Sequence, residues 1–143
     1  ILFIFLVSCG YKPIFSSKDT IFSINTIEFL TTNKINSKIK NQLTIYQKNK
    51  NKSKVYDLVI SVDKKKTISL RDSSGDPRIF LINISVDVNV KKNNDSIAKN
   101  NFSENFSYNN IQNKFDLTRY EENIENNIIN KITDRITTYL HSI

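Results

Sequence analysis

The chain has 143 residues, a formal net charge of +7, and only one Cys, one His, two Gly and two Pro. One Cys excludes an internal disulfide, one Cys with one His excludes a Cys/His zinc site, and Gly10 and Gly75 alone do not make a glycine-rich phosphate loop. Leu, Ile, Val and Phe supply about a third of the residues, which predicts a single folded domain rather than disorder. Ile, Asn and Lys are over-represented as in an AT-rich genome, so part of the basic charge is composition rather than function.

The opening run Ile1-Leu2-Phe3-Ile4-Phe5-Leu6-Val7-Ser8 is uncharged and almost wholly apolar, and it stops at Cys9. It is far shorter than the ~20 apolar residues that span a bilayer, and it fits the apolar part of a secretory signal whose start lies upstream. Leu6-Val7-Ser8-Cys9 is similar to the bacterial lipobox, in which a Leu and a small residue precede an acylated Cys. The similarity implies that residues 1 to 8 are a partial lipoprotein signal peptide and that Cys9 is the first mature, lipidated residue. Two or more acyl chains on Cys9 hold a protein on a membrane without a spanning helix. Gly10 follows, where Asp is the usual inner-membrane retention signal, so the expected address is the outer membrane.

Residues 9 to 20, with Pro13, Ser16 and Ser17 and no apolar period, read as a lipidated tether, and residues 21 to 143 as one domain. Ile21 to Phe29 is β-branched and aromatic and predicts a first strand. Thr31, Thr32 and Asn33 offer N-cap oxygens, and Ile35, Ile39, Leu43 and Tyr46 follow at helical spacing, so a helix is expected over roughly 34 to 48. After a Lys-rich connector, Tyr56, Leu58, Ile60 and Val62 alternate with Asp57, Val59, Ser61 and Asp63, a parity that continues through Lys64 and Lys66 to Ile68 and Leu70. A turn over 72 to 77 leads to Phe80, Ile82, Ile84, Val86, Val88 and Val90, the cleanest strand pattern in the chain. A second turn, 92 to 96, precedes a fourth strand over 97 to 109, with Phe102, Phe106 and Tyr108 on one face. From Leu117 to Ile143 apolar residues recur at steps of three and four, which predicts a closing helix of about 27 residues.

The fold class is therefore α+β: strand, helix, three strands, helix, with two helices on one face of a four-stranded mixed sheet. Strands of ~15 residues span ~50 Å and outrun the helices that cover them. Lys64 and Lys66 fall on the inward parity, which is tolerable if the core has ended there. The hairpin tip, roughly Lys64 to Arg78, is thus expected to be exposed and to carry Lys64, Lys65, Lys66, Arg71 and Arg78.

Catalytic signals are sparse. Glu121, Glu122 and Glu125 are read as early-turn carboxylates favoured by the helix dipole, and His141 as a dipole-facing side chain of the last turn. No nucleophile or base constellation accompanies them. The six Tyr mostly sit on apolar faces and read as packing. No enzyme activity, cofactor or metal is expected.

The mature start Cys9-Gly10-Tyr11-Lys12-Pro13-Ile14-Phe15, together with the element order, resembles the LPS-assembly lipoproteins, the LptE-like family of the Gram-negative outer membrane. The motif is confined to residues 6 to 15; the remaining likeness is pattern and topology. The resemblance implies a non-enzymatic lipoprotein, anchored through Cys9 on the periplasmic side, that assembles with and plugs a β-barrel translocon of the LptD type and assists lipopolysaccharide on its way to the outer leaflet. Lys34 to Lys66 holds ten Lys against Asp57 and Asp63. That stretch reads first as solvated surface and second as a face for an anion such as lipopolysaccharide; a nucleic-acid partner is not expected. The hairpin-tip cations are the candidate contacts to lipid phosphates or to acidic groups of a barrel lumen. The alternative is an unrelated envelope lipoprotein serving as a ligand-binding or accessory subunit of another secretion or barrel-assembly machine.

Overall fold

A computed structural model describes residues 21–47 and 52–143. The expected signal peptide, the Cys9 anchor and the tether lie outside the described residues. Strand β1 (Phe22–Phe29) leads to helix α1 (Lys34–Leu43) and a 3₁₀ turn (Thr44–Gln47); strands β2 (Lys54–Arg71), β3 (Pro77–Lys92) and β4 (Asp95–Asn109) and helix α2 (Lys114–Ser142) follow. The sheet order is β1-β2-β3-β4, with β1 parallel to β2 and the remaining pairs antiparallel. This is the α+β arrangement expected from the apolar periods.

The period-2 residues make the inner face. Tyr56, Leu58, Ile60 and Val62 of β2, Ile82 to Val90 of β3, and Phe102 and Tyr108 of β4 are buried against Ile35, Ile39 and Leu43 of α1 and Ile124 to Leu140 of α2. Among the described residues no helix covers the other sheet face. It carries a hydrogen-bonded ladder of short polar side chains, in which Asn101 donates to Ser85 and Asp87, Asn83 to Ser103, and Ser96 to Asn89. No helix among the described residues is long and apolar enough to cross a membrane.

Three boundaries differ from the sequence expectation, each for a local reason. Helix α1 ends at Leu43 rather than near 48, because Thr44 bonds back to the Lys40 carbonyl and the chain tightens into a 3₁₀ turn that stacks Tyr46 on Phe22 at 5.3 Å. Strand β4 begins two residues early, because Asn93 and Asn94 both take positive φ (52° and 71°) and close the hairpin in two residues. Helix α2 starts at Lys114 under an Asn113 cap that accepts from the Phe115 and Asp116 amides. Asp116, rather than Glu121, Glu122 or Glu125, is therefore the carboxylate of the first turn.

Candidate functional site: the hairpin tip and its carboxylate supports

Strand β1 pairs with β2 only as far as Ile60, whereas β2 continues to Arg71. At the point of departure Thr31 replaces the missing strand: its hydroxyl donates to the Val62 carbonyl (3.3 Å) and accepts from the Val62 amide (3.1 Å). Beyond Val62 the β2 side chains are no longer buried, and the inward parity passes from aliphatic carbon to charge at Lys64 and Lys66. Lys64, Lys65 and Lys66 are exposed, as are Ile68, Leu70 and the turn from Arg71 to Asp76. The tip thus projects as the strand and helix lengths require.

The five tip cations do not form one patch. Lys64 and Lys66 turn toward α2, where Lys64 Nζ lies 2.5 Å from Glu125 Oε2 and Lys66 Nζ 2.5 Å from Glu121 Oε1. Lys66 also sits over the Phe80 ring, 4.3 Å from its centroid. Lys65 has the opposite parity and belongs to the open face. Arg71 is pinned to the turn by a 2.7 Å bond from Nη1 to the Gly75 carbonyl. That turn is itself organised by Asp72, whose carboxylate accepts from the Ser74 and Asp76 amides, and by Gly75 at φ +86°. Arg78 lies at the base of the turn, where its carbonyl accepts from the Asn110 amide. Among the described residues Lys65, Arg71 and Arg78 carry no carboxylate partner.

The early-turn reading of the glutamates is corrected here. Glu125 is buried and bridges two elements, with Lys38 of α1 2.7 Å from Oε1 and Lys64 of β2 on Oε2. Glu121 accepts from Lys66 and from the Tyr108 hydroxyl (2.6 Å) on the same oxygen. Burial by itself raises both carboxyl groups. For Glu125 the hydrogen bonds and charges of Lys38 and Lys64 outweigh it, and for Glu121 those of Lys66, helped by the Tyr108 bond, do the same, so both are held below the ordinary carboxyl range. The Tyr108 phenol is pushed well up, first by burial and then by its bond to the Glu121 carboxylate.

Of these groups Lys38, Lys64, Glu121 and Glu125 line an open groove of about 430 Å³ between the start of α1, β2 and α2, in which Lys34, Lys38 and Lys64 face Glu121, Glu122 and Glu125. The lysines come from α1 and β2 and the glutamates from α2, and Lys38 and Lys64 both reach across to Glu125. Its chemistry is that of a latch between helices and hairpin, and the one hydroxyl in its lining, Thr118, donates to the Lys114 carbonyl. Sequence reasoning did not select Lys38, Tyr108 or the bridging role of Glu121 and Glu125. His141 packs edge-on against Phe22, with ring centroids 4.8 Å apart, as part of the core wall.

No protein-family model matches the chain, and no curated protein matches it. Solved structures do. The chain is similar to a rare lipoprotein B from Shewanella oneidensis (12% identity, 82% of this chain and 95% of that one, TM-score 0.61). It is also similar to a minor lipoprotein from Acinetobacter baumannii (14% identity, 86% and 93%, TM-score 0.63). An uncharacterized lipoprotein B from Nitrosomonas europaea matches at 14% identity over 88% and 92% of the two chains, with a TM-score of 0.57. At these identities the likeness is one of fold: this chain shares its fold with solved structures named rare lipoprotein B, minor lipoprotein and lipoprotein B.

Proposed function

We propose that this chain is an outer-membrane lipoprotein, anchored through Cys9, that assembles with and plugs a β-barrel lipopolysaccharide translocon. In this reading it has no catalytic role and assists lipopolysaccharide toward the outer leaflet. The observation that carries the reading is a coincidence of two independent features. The lipobox-like Leu6-Val7-Ser8-Cys9 precedes a domain whose fold is shared with structures named as lipoproteins.

Two features of the domain support the plug. The sheet face that no described helix covers is dressed with Asn, Ser and Asp, and the interior of a large β-barrel is polar in the same way. Its hairpin tip extends past the helices and presents Lys65, Arg71 and Arg78 without carboxylate partners among the described residues, which suits phosphate or acidic groups. Lys64 and Lys66 are half-committed to α2 and contribute less to such contacts.

Affinity purification of the tagged protein tests the assignment: one large β-barrel is expected as the main partner. Recovery of an inner-membrane transporter, or of no barrel, overturns it in favour of an accessory lipoprotein of another secretion or assembly machine. Metabolic labelling with a fatty-acid analogue, compared with Cys9→Ala, tests the anchor.

A further inference from the structure

The end of the sheet opposite the hairpin tip gathers four chain segments: the entry to β1 at Ile21, the start of β2, the tight β3-β4 turn and the last turn of α2. The register places Phe22 beside Lys54 and closes the β3-β4 hairpin at Lys92 and Asp95. Lys54 and the Tyr56 hydroxyl both donate to the Ile143 backbone oxygen, which ties α2 to the same end.

This end is basic and aliphatic at once. Lys52 and Lys54 lead into β2, Lys91 stands opposite Asp57 and Ser96, Lys92 opens the turn, and Lys99 stands opposite Asn89. The acids here are Asp95, Asp57 and, near Lys99, Asp87; Asp57 is already held by Asn25 (2.8 Å) and Thr26 (2.6 Å), and Asp87 by Asn101 (2.8 Å). Among the lysines stand aliphatic side chains that the fold leaves open: Ile21 is 46% exposed, Ile97 49% and Val55 38%. Lysine next to exposed aliphatic carbon is the composition of a surface that lies against lipid headgroups, with ammonium groups at the phosphates and hydrocarbon just beneath.

We infer that this end of the sheet docks on an anionic phospholipid surface. The occupant follows from charge complementarity and from where the chain enters: residues 1 to 20 join the domain at Ile21, within this patch, so a membrane-bound Cys9 delivers this end, and not the hairpin tip, to the bilayer. The inference rests on the anchor reading. Two or more acyl chains on Cys9 already hold the chain on a membrane, so the basic end orients the domain on that surface rather than securing the attachment.

The test uses the full chain carrying Cys9→Ala, so that no acyl group contributes, in co-sedimentation with phosphatidylcholine vesicles made with or without phosphatidylglycerol. Binding is expected only to the phosphatidylglycerol vesicles and is lost in high salt. The triple variant Lys91→Gln, Lys92→Gln, Lys99→Gln, with an unchanged circular dichroism spectrum, binds roughly 100-fold more weakly. Lys114→Gln with Lys131→Gln, two exposed cations of α2 outside this end, binds like the parent. Equal binding by the triple variant and the parent, binding that ignores phosphatidylglycerol, or an equal loss in the α2 variant overturns the inference. Failure of acyl labelling with intact vesicle binding would remove the anchor alone, and labelling without vesicle binding would remove the basic end alone.

Discussion

Lys64 of β2 and Glu125 of α2 meet 2.5 Å apart at the level where the buried apolar run of β2 ends. One step further along, Lys66 meets Glu121. The two pairs form a ladder because the spacings agree: two residues along a strand rise about 6.6 Å, and four along a helix about 6 Å. The elements run in opposite directions, so the later Lys takes the earlier Glu. This ladder lets a strand keep its inward parity after its apolar residues have run out.

Removing its most buried member has a calculable cost. The Glu125 side chain is 11% exposed and serves two lysines that are themselves 38% and 36% exposed. Breaking a fully buried pair costs about 3 to 5 kcal/mol, and solvent screening of the half-exposed lysines reduces this, so Glu125→Gln is expected to cost about 1 to 2 kcal/mol. Urea unfolding measures it. A midpoint equal to that of the parent would remove the ladder from the account of stability.

Acid sensitivity follows from the same pair of carboxylates. Glu121 and Glu125 have folded-state values depressed below their unfolded ones, so the stability they add is fully present above the unfolded value and is lost as pH falls through the folded values. The urea midpoint is therefore expected to be flat near neutrality and to fall below about pH 4.5. Glu121→Gln with Glu125→Gln should start lower and fall less steeply in that window. An identical slope in parent and double variant would assign the acid transition to other groups.

How far the sequence carried depended on whether a signal was periodic within one element. Ile82, Ile84, Val86, Val88 and Val90 announce β3 because each repeats the same inward choice, and all five are buried. The ladder was hidden because it is a relation between elements: Lys64 and Lys66 alone read as the end of a core, and Glu121 and Glu125 alone as dipole partners. Inward-parity lysines two apart in a strand and carboxylates four apart on the covering helix were the available signal. The boundary errors have the same origin. Thr44 ends α1 through its own bond to the Lys40 carbonyl, and Asn93 and Asn94 shorten the turn through positive φ, neither of which alters the apolar period.

Thr133 of α2 is buried, and its hydroxyl finds no hydrogen-bond partner among the described residues. An unpaired buried hydroxyl loses its hydration without return, so Thr133→Val, which keeps the shape and removes the polarity, is expected to raise stability by about 1 kcal/mol. A lowered thermal midpoint would mean that the hydroxyl has a partner.

The five hairpin-tip cations should separate into two classes. Lys64 and Lys66 hold Glu125 and Glu121, so Lys64→Gln with Lys66→Gln leaves two poorly solvated carboxylates with fewer partners and is expected to cost about 1 to 2 kcal/mol in urea unfolding. Lys65, Arg71 and Arg78 have no carboxylate partner among the described residues, and their triple change to Gln should leave the midpoint within about 0.5 kcal/mol. Binding of purified lipopolysaccharide should show the reverse ranking, with the Lys65, Arg71 and Arg78 variant weakened most, because only unpaired cations have charge free for a phosphate. If the Lys64 and Lys66 variant loses binding while the other retains it, the groove beside α2 is the anion site and the projecting turn is not. If neither variant changes binding, the tip makes no contact with the lipid and the proposed role of its cations falls.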